Sequence, residues 1–463
     1  MFKKVLIANR GEIAVRIIRA CRGLNIPTVA VYSTADREAL HVRLADERVC
    51  IGPPTVADSY LNIPAIVSAA LSFGADAVHP GYGFLSENGD FAEACQRSGL
   101  VFIGPRVRNI RLMGDKPRAR RIMEKAGVPV LLGTSAGITD VREAQAVAAQ
   151  VGFPVLLKAA AGGGGRGMRI AHAADELAAV FPVARDEAAA AFGNGALYVE
   201  KYLERARHIE FQIVADQHRN VLHFGERECS VQRRYQKILE ESPSPALNKR
   251  LRDRMGTAAV KAAQAIGYTN VGTIEFLLDS QGHFYFIEMN TRIQVEHPVT
   301  EMVTGLDIVQ AGIRAAAGDP LPWRQRDVVL AGHALECRIV AEDPTTLLPS
   351  PGTIRGYLTP GGLGVRVESG VAENSVIPVY YDSLVAKVIT WGQTRDEAIR
   401  RMRVALAEYH IGGIKTNIAL HQLILNDPDF LAGNIHTRYL DQFLHRTVPH
   451  DVRPVRGPVP LRA

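Results

Sequence analysis

The chain has 463 residues, and 54 Lys and Arg against 48 Asp and Glu give it a formal charge of +6. This length suits about two to four domains. A composition of 47% hydrophobic and 22% charged residues excludes a wholly disordered or collagen-like protein. Because the charges are interleaved and no stretch approaches about eighteen consecutive apolar residues, we expect neither nucleic-acid binding nor a membrane span.

The N-terminus and the cysteines indicate a cytoplasmic protein. Only the apolar run Val5 to Ala8 follows Lys3 and Lys4, and it is too short for the apolar region of a signal peptide. The cysteines are odd in number and form no CxxC pair. We therefore expect reduced thiols rather than disulfides or a thiolate zinc site.

Short apolar runs alternate with helical patterns in the first quarter of the chain. The strand-like runs are Val5 to Asn9, Thr28 to Ser33, Arg48 to Gly52, Asp76 to His79 and Leu100 to Gly104, and helical patterns cover Ile13 to Leu24, Ile66 to Phe73 and Phe91 to Arg97. Strands separated by about 10 to 15 helical residues predict a parallel α/β sheet. The first turn, Asn9 to Glu12, lacks the G-x-G-x-x-G pattern and so disfavours a dinucleotide-binding enzyme.

The remaining chain predicts a charged helix, a small α+β unit and a large mixed sheet. The helix covers Leu112 to Lys125 and ends before Gly127 to Pro129. Strands of the α+β unit are predicted at Pro154 to Ala159, Met168 to Ala171 and Leu197 to Tyr202. The mixed sheet takes strands from Ile209 to Val214, Val221 to Gly225, Ile274 to Leu278, Phe284 to Met289, Ala334 to Val340, Val365 to Val367 and Leu384 to Thr390, with a helix at Arg395 to Glu408.

A glycine run lies between two of these predicted strands. Gly162 to Gly165 is followed by Arg166 and Gly167, and it lacks the G-K-[ST] ending of a Walker A loop. Backbone N–H groups of successive glycines are not screened by side chains, so the run can fold over phosphates as a flap. Lys158 can add a point charge there. A flexible hairpin without a ligand is the alternative interpretation.

Two carboxylates lie on neighbouring predicted strands. Glu275 and Glu288 are separated by the turn Asp279 to Gly282, and facing carboxylates repel unless a cation lies between them. An extended second strand would point five polar side chains to one face, namely Glu288, Asn290, Arg292, Gln294 and Glu296. Carboxylates with an amide suit Mg²⁺, and a guanidinium suits a small planar oxyanion. A solvated charged face is the alternative.

Three further segments carry candidate groups. The run Cys229 to Lys237 is rich in donors that could serve phosphate or bicarbonate, although a surface loop is the favoured interpretation. Arg338 shares parity with Glu336, so a paired structural arginine is as good an interpretation as a functional one. His79 to Asn88 follows a predicted parallel strand, where α/β sheets bind ligands, but its glycines also suit a simple turn.

Taken together, these strings resemble the biotin carboxylase family. They are Ile7 to Ala14, His79 to Asn88, Lys158 to Met168, Glu200 to Leu203, Phe286 to Pro298 and Tyr380 to Ser383, in family order from residue 1 to about residue 445. The resemblance implies an α/β protein of ATP-grasp architecture. Its parts would be an N-terminal parallel α/β domain at 1–114, an ATP-grasp domain at 115–330 with a small mobile α+β lid at about 130–203, and a C-terminal mixed-sheet domain at 331–446. We expect the Pro-rich tail at 447–463 to be disordered.

The resemblance also implies a role for each matching position. ATP would be held by Lys116, Lys158, Gly164, Gly165, Glu200, Lys201, Tyr202, Leu203, His208, Gln232, Tyr235, Glu275 and Glu288. Mg²⁺ or Mn²⁺ would be bound by Glu275, Glu288 and Asn290. Bicarbonate would lie against Lys237, Arg292, Gln294 and Val295, with Glu296 as its base. Biotin would contact Tyr82, and Arg338 would stabilise its enolate.

One position departs from the family pattern. Where the family usually carries His, this chain has Tyr235, at a position that resembles a nucleotide contact. A phenol keeps a hydroxyl donor and acceptor but cannot carry the charge of an imidazolium. We therefore expect weakened nucleotide affinity rather than lost chemistry.

The expected function is ATP- and bicarbonate-dependent carboxylation of biotin through carboxyphosphate, as the first half-reaction of acetyl-CoA carboxylase in fatty acid biosynthesis or of a related carboxylase. Because no Met-Lys-Met motif occurs, we expect a separate biotin carboxyl carrier protein as a partner, together with a carboxyltransferase subunit, and a homodimer as the assembly. One rival is another ATP-grasp ligase that joins a carboxylate to an amine, which Arg292 and Arg338 disfavour. The other is a catalytically weak nucleotide-binding paralogue acting as a scaffold subunit, with Tyr235 as its only support.

Overall fold

The computed structural model describes residues 1–134, 136–159 and 168–447, without the side chains of residues 191 and 192. The glycine run at 162–165, with the expected ATP contacts Gly164 and Gly165, lies outside these residues, as does the tail beyond Thr447. Within the described part of the chain, no helix has the length and apolar character needed to cross a membrane.

The N-terminal portion is a five-stranded parallel sheet flanked by helices, as the alternating pattern predicts. Its strands are β1 (Val5–Ile7), β2 (Thr28–Ser33), β3 (Glu47–Gly52), β4 (Ala77–His79) and β5 (Val101–Phe102), and its helices are α1 (Gly11–Gly23), α2 (Leu40–Leu44), α3 (Ile63–Ser72), α4 (Gly89–Arg97), α5 (Val107–Gly114) and α6 (Lys116–Lys125). The strand order is β3-β2-β1-β4-β5, so the chain reverses direction across the sheet between β1 and β4. Loops that follow β1 and β4 therefore diverge and leave a crevice at the carboxyl ends of the strands.

The helix predicted over Leu112 to Lys125 is wrong as a single element, because the chain breaks at Asp115. This residue is extended, with ψ of 92°, and its carboxylate accepts a hydrogen bond from the Arg118 backbone N–H at the start of α6. Pro117 occupies the first turn of α6, where its missing N–H leaves no helical hydrogen bond unmade. An N-cap and a proline thus begin a new helix within one charged run.

A small α+β unit follows. It contains α7 (Val141–Val151), β6 (Val155–Ala159), β7 (Arg169–Ala171), α8 (Ala174–Phe192) and β8 (Leu197–Lys201). Its three-stranded antiparallel sheet has the order β7-β6-β8. The buried apolar residues of this unit pack against one another, from Ile138 to Val199, and form a core of their own.

The largest sheet has eight strands. The central portion supplies β9 (Arg207–Ala215), β10 (Val221–Arg233), β11 (Gln236–Ser242), β12 (Asn270–Leu278) and β13 (Phe284–Asn290), with helices α9 (Lys249–Ala265), α10 (His297–Thr304) and α11 (Ile308–Ala316). The C-terminal portion supplies β14 (His333–Val340), β15 (Gly352–Thr353), β16 (Arg355–Leu358), β17 (Val365–Ser369), β18 (Val376–Ile377), β19 (Leu384–Gly392), β20 (His410–Gly412), α12 (Arg395–Glu408), α13 (Ile418–Ile424), α14 (Pro428–Leu431) and α15 (Tyr439–Thr447).

This sheet has the order β13-β12-β9-β10-β11-β14-β19-β17. The pairings between its eight strands are antiparallel, whereas the sequence predicted a mixed sheet. A single parallel bridge, between Val130 and Phe286, adjoins the edge strand β13. The pairing of β11 with β14 carries the sheet from the central into the C-terminal portion, across the boundary expected near residue 330. Helix α10 packs against β10, β11, β14 and β19. The segment that precedes this helix contacts β11, β14 and β19 through Val295 and Glu296.

Candidate active site

The two predicted carboxylates face each other on neighbouring strands. Glu275 in β12 and Glu288 in β13 are partners in the antiparallel register, next to a bulge at Phe276. The Glu275 Oε1 atom accepts hydrogen bonds from Lys237 Nζ at 2.9 Å, Asn290 Nδ2 at 2.8 Å and Gln294 Nε2 at 3.1 Å. The side chain of Glu288 is 34% exposed, and its Oε2 lies 3.6 Å from Lys116 Nζ.

These residues fit a divalent cation such as Mg²⁺. Burial acts to raise the pKa of Glu275, but Lys237 and His208 outweigh burial and hold that pKa well below its usual range. The carboxylate is therefore ionised at neutral pH. Two carboxylates and one amide are oxygen ligands of the kind that Mg²⁺ takes when substrate phosphates complete its shell. His208 adds Nε2, 3.1 Å from Glu275 Oε2, on the side away from Asn290.

The segment after β13 brings the remaining predicted groups together, but not as an extended strand. The strand ends at Asn290, and residues 291–296 form turns that lead into α10, with Pro298 in its first turn. Arg292 donates from Nη2 to Asn290 Oδ1 at 2.9 Å and from Nη1 to Gln294 Oε1 at 2.6 Å. The shared face expected from alternation is thus wrong beyond Asn290, and side-chain hydrogen bonds produce the convergence instead.

A partner from the N-terminal portion anchors Arg292. Glu87 Oε2 accepts from Arg292 Nε at 2.8 Å, and Glu87 Oε1 accepts from the Thr291 backbone N–H at 2.9 Å. Burial acts to lower the pKa of Arg292, but Glu87 and Glu296 outweigh burial and raise it. The guanidinium is therefore a permanent cation, held by Glu87, Asn290 and Gln294, and its charge can attract a small oxyanion.

Glu296 lies between two cations. Its Oε1 accepts from Lys237 Nζ at 2.6 Å, and its Oε2 accepts from Arg338 Nη2 at 3.0 Å. Glu296 is only 1% exposed, and although burial acts to raise its pKa, Lys237 and Arg338 outweigh burial and lower the pKa well below its usual range. The two ion pairs keep Glu296 in the form that can accept a proton.

Arg338 has a second carboxylate partner in Glu240 of β11. Arg338 Nε donates to Glu240 Oε1 at 2.6 Å. Burial raises the pKa of Glu240 to about 7 even though Arg338 acts to lower it. The Arg338 backbone carbonyl is also held, because Asn417 Nδ2 donates to it at 2.9 Å and His421 Nε2 lies 2.8 Å away. Arg338 is thus fixed at both its backbone and its guanidinium.

The expected nucleotide contacts lie along the small α+β unit and β9. Lys158 in β6 forms an ion pair with Glu200 in β8. Lys201 Nζ donates to the backbone carbonyls of Gly152 and Phe153, at 3.0 and 2.8 Å, and Tyr202 and Leu203 follow directly. In the large sheet, Gln232 Nε2 lies 3.1 Å from His208 Nδ1, so these two predicted contacts are neighbours.

The run from Cys229 to Lys237 is a β-hairpin that is buried from Cys229 to Gln232 and exposed at its turn, so the surface-loop interpretation is wrong. Strand β10 continues through Arg233, which pairs with Gln236 of β11, and Cys229, Val231 and Gln232 are buried. The signal for a hairpin was weak because its two-residue turn is Arg234-Tyr235, which lacks the usual glycine or asparagine. Both turn residues have positive φ, 49° and 65°, and Tyr235 is 52% exposed.

The turn after β4 forms the opposite wall of the site. Tyr82 donates its hydroxyl to Glu12 Oε1, and burial together with Glu12 raises the pKa of the phenol, while Arg338 acts to lower it. Asn9 Nδ2 donates to the carbonyls of Pro80 and Tyr82, at 2.7 Å each. Gly81 has φ of +64°, and a Cβ there would lie 3.0 Å from Asn9 Nδ2, so glycine permits this close approach.

Sequence reasoning missed several charged residues of the site. Glu210 of β9 is fully buried and binds both Lys237 and Arg227. Glu87 lay within a motif that was recognised, but only the fold brings it to Arg292. Alternation along β9 puts Glu210 on the face of His208, which is the one local signal that could have identified Glu210.

Models of known families match most of the chain. Residues 1–110 match the biotin carboxylase N-terminal domain, residues 115–324 match the carbamoyl-phosphate synthase L chain ATP binding domain, and residues 336–442 match the biotin carboxylase C-terminal domain. The three matches follow one another in the order in which the three portions of the fold occur.

Individual relatives cover nearly the full length. A biotin carboxylase of Nostoc sp. is 58% identical over 95% of this chain and 99% of its own length. A pyruvate carboxylase subunit from Methanothermobacter thermautotrophicus is 53% identical over 96% of this chain and 90% of its own length. The biotin carboxylase domain dimer of the Hydrogenobacter thermophilus 2-oxoglutarate carboxylase, solved with MgADP, ADP and bicarbonate, is 52% identical, covers 96% of this chain and 98% of that chain, and superposes with a TM-score of 0.93.

Proposed function

This chain belongs to the biotin carboxylase family, and from that premise we propose that it carboxylates biotin with ATP and bicarbonate. The observation that carries the proposal is Glu296, a buried carboxylate held ionised between Lys237 and Arg338, next to the oxyanion-suited Arg292. A bicarbonate oxygen attacks the γ-phosphorus of ATP and releases ADP and carboxyphosphate. Carboxyphosphate then breaks down to CO₂ and phosphate, the phosphate removes the biotin N1 proton, and the enolate attacks CO₂.

The bicarbonate half of this reaction is assigned to the segment before α10 and to Lys237. Lys237, Arg292, Gln294 and the Val295 backbone hold the anion, and Glu296 accepts its proton as the attack on phosphorus begins. The pKa of Glu296 is lowered, so the carboxylate is in the ionised form that a base needs at neutral pH, although the same two cations make it a weaker base than a free glutamate. Phosphoryl transfer of this kind depends on positioning and electrostatics more than on covalent chemistry.

The nucleotide half is assigned to the β6–β8 unit and the sheet beneath it. Glu275, Glu288 and Asn290 would hold Mg²⁺, which neutralises charge on the transferring phosphoryl group when it is bound. Phosphates are bound by Lys116, Lys158, His208, Gly164 and Gly165, and the rest of the nucleotide by Glu200, Lys201, Tyr202, Leu203, Gln232 and Tyr235. Closure of this unit as a lid would exclude water from carboxyphosphate.

The biotin half is assigned to Arg338 and Tyr82. A guanidinium fixed by Glu240 and Glu296 is a preorganised cation, and it stabilises the negative oxygen of the enolate without rearranging. Tyr82 lines the opposite wall. The position of Tyr82 supports this role, because its hydroxyl donates to Glu12 Oε1, which lies 3.1 Å from Nζ of Lys387, the register partner of Arg338.

We further propose a biotin carboxyl carrier protein and a carboxyltransferase as partners, a homodimer as the assembly, and the cytoplasm as the compartment. The related structure from Hydrogenobacter is itself described as a dimer. The final acceptor of the carboxyl group stays open, since the relatives include parts of pyruvate carboxylase and 2-oxoglutarate carboxylase. That choice belongs to the transferase.

The first test is the substrate dependence of ATP hydrolysis by the purified protein. We expect turnover to require Mg²⁺ and bicarbonate and to rise when free biotin is added. Turnover of an amino acid or peptide without biotin would favour an ATP-grasp carboxylate–amine ligase. A protein that binds ATP and does not turn over would favour the scaffold role.

The second test separates the roles of two arginines. Arg338→Ala should abolish biotin carboxylation and leave bicarbonate-dependent ATP hydrolysis measurable, because Arg338 is assigned to the enolate. Arg292→Ala should depress both activities, because the oxyanion loses a nearby cation. Equal losses of both activities in the two variants would contradict this division of roles.

A further inference from the structure

One lysine outside the expected site is completely buried beneath it. Lys387 lies in β19, has 0% of its surface exposed, and pairs in register with Arg338 of β14. The two side chains therefore project from the same face of the sheet, toward the segment that precedes α10. A fully buried ammonium is unfavourable unless an anion and further hydrogen bonds compensate it.

The partners of Lys387 come from two other parts of the fold. Its Nζ donates to the backbone carbonyl of Val295 at 2.7 Å and lies 3.1 Å from Glu12 Oε1. Val295 belongs to the segment assigned to bicarbonate. Glu12 lies in the first turn of α1, and its Oε1 also accepts the hydroxyl of Tyr82, which is assigned to biotin. The Lys387 ammonium thus contacts both the segment assigned to bicarbonate, at Val295, and the residues on the biotin side, Glu12 and through it Tyr82.

The backbone around Glu12 leaves this contact little freedom. Gly370, directly after β17, lies so close to the start of α1 that a Cβ at this position would be 2.6 Å from the Glu12 backbone nitrogen. The C-terminal portion, which carries Lys387, therefore packs closely against the first turn of α1, which carries Glu12. Neither group can shift much without the other.

We propose that Lys387 is a positioning residue that sets the distance between the bicarbonate segment at Val295 and the biotin wall at Glu12 and Tyr82. It does not touch substrate. In the proposed reaction the phosphate from carboxyphosphate must reach the biotin N1 proton and CO₂ must reach the enolate, so a fixed separation of the two groups of residues favours both steps. The inference rests on the proposed function and names one residue that aligns its two halves.

The test uses the full-length protein with free biotin, bicarbonate and MgATP, each varied in turn. Lys387→Met keeps the shape of the side chain and removes the charge. We expect the half-saturating concentrations of both biotin and bicarbonate to rise about tenfold, as when about 1.4 kcal/mol of binding is lost, while that of ATP stays within twofold of the wild type. Glu12→Gln keeps an acceptor oxygen for Lys387 and Tyr82. It should therefore raise the half-saturating concentrations of biotin and bicarbonate much less than Lys387→Met does.

A double variant separates positioning from stability. Lys387→Met alone leaves the buried Glu12 carboxylate with the Tyr82 hydroxyl but without its cation, and the melting temperature should fall. Lys387→Met with Glu12→Gln also removes the Glu12 charge, so part of the melting temperature should return while both half-saturating concentrations stay raised; the rest stays lost because Lys387 also lies near the buried Glu336 and Glu368. A double variant with wild-type biotin and bicarbonate dependence would overturn the inference and leave the pair a purely structural one.

Arg395→Met is the matched control. Arg395 binds the buried Glu241 from the opposite face of the same sheet, with Nε 2.6 Å from Oε2. This variant should lower the melting temperature without changing the half-saturating concentrations of biotin and bicarbonate. If Arg395→Met raised both concentrations as much as Lys387→Met does, the inference would be overturned, because any loosening of the sheet would then have the same effect. Failure of the proposed function is a separate result, since the wild-type protein itself would then show no turnover stimulated by biotin.

Discussion

At the scale of single residues, the two facing carboxylates have different surroundings. Glu275 is buried and accepts three hydrogen bonds, whereas Glu288 is 34% exposed and forms, within the described part of the chain, an ion pair with Lys116 at 3.6 Å. An exposed ion pair contributes about 0 to 1 kcal/mol to folding. Glu288 is therefore placed where its charge serves a ligand more than the fold.

Replacing Glu288 should separate function from stability. We expect Glu288→Gln to lower bicarbonate-dependent ATP hydrolysis by orders of magnitude with the melting temperature almost unchanged, because shape is kept and a metal ligand charge is lost. Glu275→Gln is the comparison. It should lower both ATP hydrolysis and the melting temperature, because Lys237 loses a buried anionic partner. A collapse of stability in Glu288→Gln with residual activity near wild type would make this carboxylate structural.

Tyr235 must fit a tight turn of the backbone and is also a proposed nucleotide contact. It occupies the turn between β10 and β11 with φ of 65°, a conformation that bulky residues adopt rarely and that His, Asn and Asp adopt more readily. A His at this position would therefore suit the turn as well as the nucleotide contact that we propose for Tyr235.

We expect Tyr235→His to lower the Michaelis constant for ATP by up to about tenfold, or about 1.4 kcal/mol, with little change in maximal rate and no loss of melting temperature. ATP saturation curves at fixed bicarbonate and biotin measure the effect. Tyr235→Phe serves as the control that removes only the hydroxyl, and it should raise the constant. An inert wild type that Tyr235→His activates would favour the scaffold role.

At the scale of elements, a buried carboxylate ties strand β11 to helix α12 and strand β14. Glu241 accepts from Arg395 Nε at 2.6 Å, and His333 Nε2 lies 2.7 Å from the same oxygen. Burial acts to raise the pKa of Glu241, but Arg395 and His333 outweigh burial and lower it to about 2. The ionised form is therefore favoured by the folded state.

This shift predicts a pH dependence of stability. Because the Glu241 pKa is lower in the folded than in the unfolded chain, its stabilisation is fully present above the ordinary value of 4.5 and is lost as the pH falls toward 2. Glu241→Gln should lower the free energy of unfolding at pH 7 by about 3 kcal/mol, and urea unfolding at a series of pH values should show this difference shrinking below pH 4.5. Glu38→Gln, at an exposed carboxylate, is the control and should show no such trend. A difference that persists unchanged to pH 3 would contradict the assignment.

At the scale of the whole molecule, the eight-stranded sheet and the β6–β8 unit differ in how they are supported. The sheet is continuous from β13 to β17, and its strands contribute to two large clusters of buried apolar residues. The buried apolar residues of the β6–β8 unit lie between Ile138 and Val199 and pack mainly on one another. Such a unit can open without unfolding the rest of the chain.

Hydrogen exchange should show this difference directly. Amides of β6 and β8 should exchange with a lower opening free energy than amides of β9 and β12, and a non-hydrolysable ATP analogue with Mg²⁺ should protect the former selectively. Exchange with the analogue but without Mg²⁺ is the control for metal-dependent closure. Equal opening free energies in β6 and β9, with or without nucleotide, would contradict a separate lid.

Much of the fold followed from local signals. Hydrophobic periodicity alone predicted Thr28–Ser33 as a strand and Arg395–Glu408 as a helix with the bounds that the structure has. It predicted one helix across Asp115 because an N-cap inside a charged run resembles any other polar residue. It missed β11 because the Arg234-Tyr235 turn carries no glycine or asparagine, so the local pattern favoured a loop.

The candidate site divides in the same way between sequence and tertiary structure. The sequence by itself determined the family, through motifs in fixed order, and it put Glu275 and Glu288 on neighbouring strands joined by a short turn. The register that this turn sets would pair Glu275 with Ile287, and the bulge next to Phe276 is what brings the two carboxylates opposite each other. Only the tertiary structure decided that Glu87 anchors Arg292 and that Lys387 joins Val295 to Glu12. The physical reason is range. Periodicity and turn chemistry act between neighbours in the chain, whereas the partners of a buried charge are selected by desolvation and by whichever strands the folded sheet brings together.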